Sequence, residues 1–375
     1  MQEEVFSPGL EGIIAGETAI STVGGGRGLR YRGYSITDLV EHASFDEVAF
    51  LLLHGELPTQ AELEEYQHRV KQAQVIAEPL RILLKTIPKD TPPMDMLRTG
   101  VSVLAHFDPD AQDNSHEANV RKAERLLGQI PVVIAEFSRY SNGLEAITPK
   151  AEFSHAANFL YMLTGEDPKP DAVHAFDVSL TLYAEHEFNA STFTSRVVCS
   201  TESDMHSAVV AAIGALKGRL HGGANEKVVE LLQQVGGPEL AEQWIRDALA
   251  RKERVMGFGH RVYKSGDIRA KILKDYARKA AESVGQTKWE ETADIIEKVM
   301  IDEKKLMPNL DWPAGRLYYA LGLDVPLYTP FFVAARAAGW CAHVIEQSRH
   351  NRLIRPRAKY VGPEDREVKP IGERE

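Results

Sequence analysis

Sequence that favours β-strands is scarce in this chain and is confined to its beginning. Two short strand-like runs, 18–23 and 29–32, flank residues 24–28, which contain four glycines. This pattern predicts a β-hairpin with a glycine-rich turn. A phosphate-binding loop is the alternative, but no Gly-Lys-Ser/Thr ending and no strand-to-helix unit support it.

Helical signals fill most of the chain after this hairpin. Ser44 with Glu47, and Thr59 with Glu62, have the spacing of capping boxes that open helices. Apolar residues then recur at helical spacing. The predicted helices include 156–163, 171–185, 206–217, 239–252, 268–284, 289–306 and a long helix from Pro330 through Ile345. The predicted fold class is therefore all-α, with a short N-terminal β-hairpin and an extended, proline-containing tail from residue 355.

Composition excludes several classes of protein. The net charge of −10 disfavours general nucleic-acid binding. The longest uncharged apolar stretch, 208–216, is too short to cross a membrane, and the acidic N-terminus does not resemble a signal peptide. Only Cys199 and Cys341 are cysteines, which argues against a disulfide framework and fits a reducing cytosol. We therefore expect a cytoplasmic protein that binds neither membrane nor nucleic acid.

Three separate turns between predicted helices each carry one ionisable residue. His221 lies in the turn 220–226, His260 in 257–264 and Asp311 in 308–312. Each alone has an ordinary explanation, because histidines often lie at helix ends and aspartates often cap helices. Together, two histidines and a carboxylate form a general acid/base set that can remove a proton from carbon and stabilise the resulting oxyanion.

These three turns, in this order, resemble those of the citrate synthase family. The resemblance extends over nearly the whole chain and includes the segments 31–34, 154–161, 184–192 and 351–357. The short N-terminus of the chain resembles that of the compact bacterial and archaeal members of the family. The resemblance implies a Claisen condensation of acetyl-CoA with oxaloacetate, followed by hydrolysis of the citryl thioester.

The resemblance also implies roles for the three ionisable residues. Asp311 is expected to be the base that deprotonates the acyl methyl group, and neutral His221 to donate a hydrogen bond to the thioester oxygen. His260 is expected to bind and protonate the oxaloacetate carbonyl. No cofactor is expected, because the CoA thioester is a substrate, and the sequence has neither a His-Glu-x-x-His nor a Cys-x-x-Cys metal motif.

A substrate with two carboxylates needs cations in fixed positions. Arginine suits this better than lysine, because its planar guanidinium can donate two parallel hydrogen bonds to one carboxylate. By resemblance, the oxaloacetate-binding residues are His186, Arg269, Arg336 and Arg355, the last reaching the site of the other subunit of a homodimer. Arg336 lies in an apolar helix, 334–340, where the alternative role is a buried ion pair with a structural glutamate. For His186 and Arg355, the alternatives are a core histidine and a surface arginine.

Coenzyme A adds an adenine, a pyrophosphate and a 3′-phosphate. The glycine-flanked segment Val255, Met256, Gly257, Phe258 and Gly259 is the candidate adenine contact. Candidate phosphate contacts are Arg261, Lys264 and Lys305, and Asn309 is expected to fix the loop of Asp311. Each cation has the alternative role of a solvated surface charge.

We expect two domains, since 375 residues exceed a typical single domain. The large helical domain would comprise 1–220 together with 324–375. The small domain, 221–323, would carry His221, His260 and Asp311 and, by resemblance, close over oxaloacetate.

Three positions depart from the family pattern. Arg219 and Ile268 stand where proline is usual, and 312–315 replaces an aromatic-Tyr-Ser run beside Asp311. Trp312 and Pro313 are therefore expected to shape the acyl pocket. Two alternatives stay open: 2-methylcitrate synthase, which uses propionyl-CoA, and a non-catalytic helical dimer that senses CoA or a dicarboxylate.

Overall fold

The computed structural model describes residues 6–23, 28–259, 263 and 266–374. Three two-residue strands form an antiparallel sheet in the order β1 (Ser21–Thr22), β2 (Arg30–Tyr31) and β3 (Tyr34–Ser35). β1 and β2 match the predicted hairpin but are shorter, and β3 was not predicted. The glycine-rich residues 24–27 lie outside the described part.

Helices make up most of the rest of the described fold, as predicted. In the large-domain region they are α1 (Ile36–His42), α2 (Phe45–His54), α3 (Gln60–Gln72), α4 (Glu78–Thr86), α5 (Pro93–Leu104), α6 (His116–Ser141), α7 (His155–Thr164), α8 (Pro170–Tyr183), α9 (Ala190–Cys199) and α10 (Met205–Leu216). The predicted small-domain region contains α11 (Ala224–Val235), α12 (Pro238–Ala250), α13 (Ile268–Ser283), α14 (Thr287–Val299) and α15 (Asp311–Ala320). The last helix, α16 (Tyr328–Arg349), lies in the large-domain region again. No helix in the described ranges is both long and apolar enough to cross a membrane.

Both predicted capping boxes are present. The Ser44 hydroxyl accepts the Glu47 backbone N–H, while the Glu47 carboxylate accepts the Ser44 backbone N–H at 2.8 Å. Thr59 and Glu62 repeat the arrangement at α3. These local contacts mark both helix starts, and at α2 the Phe45 backbone N–H also donates to the Asp177 carboxylate at 2.9 Å.

The predicted helix 289–306 is shorter than expected. α14 ends at Val299 and continues as one π-helical turn, Met300–Lys304. Lys305 then adopts a left-handed backbone conformation with φ of 57°, which stops the helix. The turn that follows leads directly to Asp311.

α16 is the central helix of the larger core. Its residues are buried from Tyr328 through Ile345, because α2, α5, α6, α8, α9 and α10 surround it. A helix that is apolar on every face is typical of such a position. Arg336 is therefore held within the core rather than on its surface.

A second hydrophobic core lies within the predicted small domain. It joins residues of α11, α12 and α14 to Val255, Met300 and Trp312. Leu273, Leu310 and Leu317, from the same stretch, belong instead to the larger core. The domain boundaries after residues 220 and 323 therefore stay a prediction.

Candidate active site

Hydrogen bonds join the second and third motif turns. The Asn309 backbone N–H donates to the Gly257 carbonyl at 2.9 Å, and its side-chain amide donates to the Gly259 carbonyl at 3.0 Å. The Gly259 N–H donates to the Met307 carbonyl at 2.8 Å. Asn309 therefore ties the loop before Asp311 to the candidate adenine-binding segment.

Asp311 is the first residue of α15. Its backbone N–H donates to the Asn309 side chain at 3.1 Å, and its Oδ1 accepts the Tyr183 hydroxyl at 2.7 Å. Burial raises the pKa of Asp311 above its ordinary value, although Tyr183 and Arg269 each oppose this rise. A carboxylate with a raised pKa is a stronger base than an exposed one, which suits proton removal from carbon.

We expect Tyr183→Phe to shift the acidic limb of the kcat–pH profile upward. The hydroxyl bond favours the ionised form of Asp311, so its loss raises the pKa of Asp311 further. A hydrogen bond to a charged group contributes about 1.5–3 kcal/mol, which corresponds to a shift of roughly one to two pH units. Tyr318→Phe, which removes another buried hydroxyl, 3.1 Å from Ser179, is the control. An unchanged limb in Tyr183→Phe would contradict this role.

His221 lies in the turn between α10 and α11. The turn needs glycine next to it, because a Cβ at Gly222 would lie 2.2 Å from the Leu216 carbonyl oxygen. The His221 Nε2 atom lies 3.2 Å from the Ser191 backbone N–H and 2.7 Å from the Ser191 hydroxyl. Since a backbone N–H only donates, Nε2 is the acceptor and the neutral ring carries its proton on Nδ1.

The environment keeps the His221 ring neutral. Burial, followed by the positive charge of Arg336, lowers the pKa of His221 to about 4. The Ser191 hydroxyl, which orients the ring, also accepts the Trp340 indole N–H at 3.1 Å and lies 2.8 Å from the Asn189 side-chain oxygen. His221 is therefore arranged as a neutral hydrogen-bond donor, consistent with the role that the resemblance implied.

Arg336 enters the same region from α16. It is 2% exposed, its Nε donates to the Tyr183 carbonyl at 2.6 Å, and its guanidinium lies 4.7 Å from the Phe332 ring centroid. The Phe332 ring also lies 4.4 Å from Tyr183 and 6.4 Å from His221. Arg336, Tyr183 and His221 thus surround one aromatic ring, with Asp311 bonded to Tyr183.

Arg269 lies in the first turn of α13 and is 5% exposed. Its Nε and Nη2 donate to the two Asp267 carboxylate oxygens at 3.0 and 2.8 Å. Asp267 also accepts the Leu310 backbone N–H at 3.3 Å, immediately before Asp311. The Asp267 carboxylate therefore orients the Arg269 guanidinium. In the described contacts, Nε and Nη2 are used by Asp267, so Nη1 is the nitrogen available to a ligand.

The remaining candidate oxaloacetate residues differ in position. His186 is buried, and its Nε2 lies 3.0 Å from the Tyr263 hydroxyl. Arg355 is exposed on the extended tail, so this single chain does not bring it to the other candidates. His260, Arg261 and Lys264 lie outside the described residues.

The candidate CoA-binding segment lies against the small-domain core. Val255 is buried, Met256 is half-buried, and the Phe258 ring centroid lies 4.5 Å from that of Trp312. Lys305 is exposed, and its ammonium donates to the Asp302 carbonyl at 3.0 Å. A surface lysine in this turn is accessible to a phosphate.

Trp312 does not have the expected position at the surface of an acyl pocket. It is fully buried in the second core, where a Cβ at Gly257 would lie 2.9 Å from its ring. Its indole is needed to fill that core. The Phe258 ring, which contacts Trp312, is the more exposed of the two.

Several residues of the site were not found by sequence reasoning. Tyr183, Ser191, Asn189 and Phe332 carry no motif of their own. Asn189 and Ser191 lie within the segment 184–192, which the resemblance did include, and Tyr183 directly precedes it. A hydroxyl-bearing residue in or next to such a segment is the signal that the sequence offered.

Comparison with known proteins shows the family of this chain. Residues 9–357 match the family model described as citrate synthase, C-terminal domain. The chain is 47% identical over 367 residues to citrate synthase 2 of Bacillus subtilis (strain 168), covering 98% of each protein. It is 45% identical over 374 residues to the 2-methylcitrate synthase of Shewanella oneidensis, covering 99% of each.

A solved structure is similar over the same extent. The citrate synthase of Thermoplasma acidophilum, in a ternary complex with carboxymethyl coenzyme A and oxaloacetate, has a TM-score of 0.94 and 35% identity. The match covers 99% of this chain and 100% of that one. The chain therefore belongs to the citrate synthase family and is an acyltransferase with the function of a citrate synthase or a 2-methylcitrate synthase.

Proposed function

We propose that this enzyme condenses acetyl-CoA with oxaloacetate and then hydrolyses the citryl thioester to citrate and CoA. The observation that carries the proposal is the Asp311 carboxylate, whose pKa is raised and whose orientation is fixed by Tyr183. Neutral His221 and buried Arg336 lie around the neighbouring Phe332 ring. The similarity to a citrate synthase solved with oxaloacetate and a CoA derivative supports the same choice.

The first step is proton transfer from the acyl methyl group. Asp311 takes the proton, and the thioester oxygen gains negative charge as the enolate forms. The His221 Nδ1–H donates a hydrogen bond to that oxygen. A neutral imidazole suits this task, because its Nδ1 proton does not ionise near neutral pH. The ring therefore remains a hydrogen-bond donor to the oxyanion.

The second step forms the carbon–carbon bond. The methylene carbon attacks the oxaloacetate carbonyl, whose oxygen takes a proton from His260, the residue that the family resemblance assigns to this role. Arg336 and Arg269 hold the two carboxylates by charge-assisted hydrogen bonds, with His186 as a further contact. Water then cleaves the thioester and releases CoA. No metal or other cofactor takes part in this scheme, and the CoA thioester is a substrate.

We also propose a homodimer in which Arg355 completes the site of the partner subunit. The tail that carries Arg355 is extended, and its side chains Leu353, Tyr360 and Val361 are more than half exposed. Apolar side chains on an exposed strap are favoured when another surface covers them. Sedimentation as a fully active monomer would contradict this assembly.

We propose a cytoplasmic location, which cell fractionation would check. Both cysteines are buried and unpaired in the described structure. Free thiols are typical of a reducing compartment.

The acyl preference is the test of the proposed function. We expect acetyl-CoA to be preferred to propionyl-CoA by roughly 10- to 200-fold in kcat/KM, the range that one methylene provides. The chemistry of Asp311 and His221 is indifferent to the extra methyl group, so packing near Phe258 has to discriminate. Free thiol release with oxaloacetate and each thioester measures both values.

Each other outcome selects another function. A higher kcat/KM with propionyl-CoA would identify a 2-methylcitrate synthase. Binding of oxaloacetate without turnover of either thioester would favour the non-catalytic sensor.

A further inference from the structure

A network of buried polar side chains lies between α16 and the segment that follows α8. It includes Glu185, His343 and Ser21. Arg336, Gly339 and His343 share one face of α16, since they are spaced by three and four residues. Arg336 bonds the Tyr183 carbonyl, and His343 Nε2 lies 2.9 Å from Glu185 Oε1. This face of α16 therefore contacts the segment that contains Tyr183, Glu185 and His186.

Glu185 is the acid of this network and is fully buried. Its Oε1 also accepts the Ser21 hydroxyl at 2.9 Å, whereas its Oε2 has no hydrogen-bond partner among the described residues. Oε2 lies against Gly339, where a Cβ would be only 2.3 Å away. The glycine lets the carboxylate approach α16 one helical turn from Arg336.

The hydrogen-bond directions show which nitrogen of His343 carries the proton. Arg196 Nη1 lies 2.9 Å from His343 Nδ1 and 2.6 Å from the Glu346 carboxylate. Arginine only donates, so Nδ1 is an acceptor and the proton of neutral His343 is on Nε2, where it points to Glu185. Glu185 thus accepts hydrogen bonds from both of its Oε1 partners, which favours its ionised form.

Glu185 also acts on the charge of Arg336. Burial lowers the pKa of Arg336 to about 10, and among the neighbouring acids Glu185 opposes this most. Arg269 has its own partner in Asp267. Before a dicarboxylate enters, Glu185 is therefore the main counter-charge of Arg336.

We propose that Glu185 is a positioning residue that sets the affinity for oxaloacetate. Its carboxylate stabilises Arg336 in the empty pocket and offsets part of the positive charge that the substrate carboxylate meets. The inference rests on the proposed function, because it takes oxaloacetate as the ligand of Arg336. The same offset acts on citrate, so it weakens the hold on the product as well.

The test removes the negative charge of Glu185 while keeping the shape of its side chain. Glu185→Gln retains an oxygen for His343 and Ser21 and replaces the unpartnered Oε2. We expect the Kd for oxaloacetate, and that for citrate, to fall by roughly tenfold, because an opposing unit charge near Arg336 is lost. Titration calorimetry on the full-length protein measures both constants. Structural damage would instead raise them.

Two further variants complete the experiment. Ser21→Ala removes one hydrogen bond to the same Oε1 without changing charge, and its Kd values should stay within about twofold of wild type. Glu185→Met is a second neutral replacement, in case the glutamine variant does not fold. Unchanged or weaker oxaloacetate binding in a folded neutral variant would overturn the inference. Failure of the wild type to bind oxaloacetate would overturn the proposed function instead.

Discussion

Asp311→Asn is expected to lower the rate of condensation by roughly 100- to 10,000-fold, the usual contribution of a positioned general base. The amide has nearly the shape of the carboxylate, and its oxygen can still accept the Tyr183 hydroxyl. It cannot take a proton from the acyl methyl group. Oxaloacetate binding should persist, because Arg336 and Arg269 keep their positions.

Exchange of the acetyl methyl protons into heavy water, with oxaloacetate present, measures this step directly. Asp294→Asn is the matched control, because Asp294 also belongs to the predicted small domain but pairs with Lys274 and Arg278 away from the site. The control should exchange at nearly the wild-type rate. Exchange at that rate in Asp311→Asn would show that another group is the base.

Arg336→Leu is expected to raise the KM for oxaloacetate by roughly 10- to 100-fold, because charge-assisted hydrogen bonds to one carboxylate are lost. The KM for acetyl-CoA should change much less, since Arg336 lies in the large-domain core and not beside the segment 255–259. A variant that instead loses affinity for both substrates equally would indicate general damage to the site.

Arg336→Lys separates charge from geometry in the same experiment. Lysine keeps the positive charge but not the planar fork that matches a carboxylate. We expect a KM for oxaloacetate between those of wild type and Arg336→Leu. Steady-state kinetics with each substrate varied in turn, together with melting temperatures, distinguishes lost binding from lost stability.

Features that depend on neighbouring residues could be predicted from the sequence. The capping boxes at Ser44 and Thr59 start α2 and α3 as predicted, because each needs contacts across only three residues. The predicted helices from α7 to α16 also formed, with small differences at their ends except for 289–306, whose α-helix ends at Val299. The turn 308–312 was recognised because its residues stand together in the chain, although its family role came from resemblance and not from spacing.

Tertiary structure alone decided how the site is assembled. Tyr183 and Asp311 are 128 residues apart in sequence, so no local pattern predicts the hydrogen bond that tunes the base. The interior position of Trp312 depended on how α11, α12 and α14 pack around it. Glu185 looked like one more charged residue until α16 brought His343 and Gly339 against it. Burial and long-range packing set the charge and orientation of these groups, and neither is written in the local sequence.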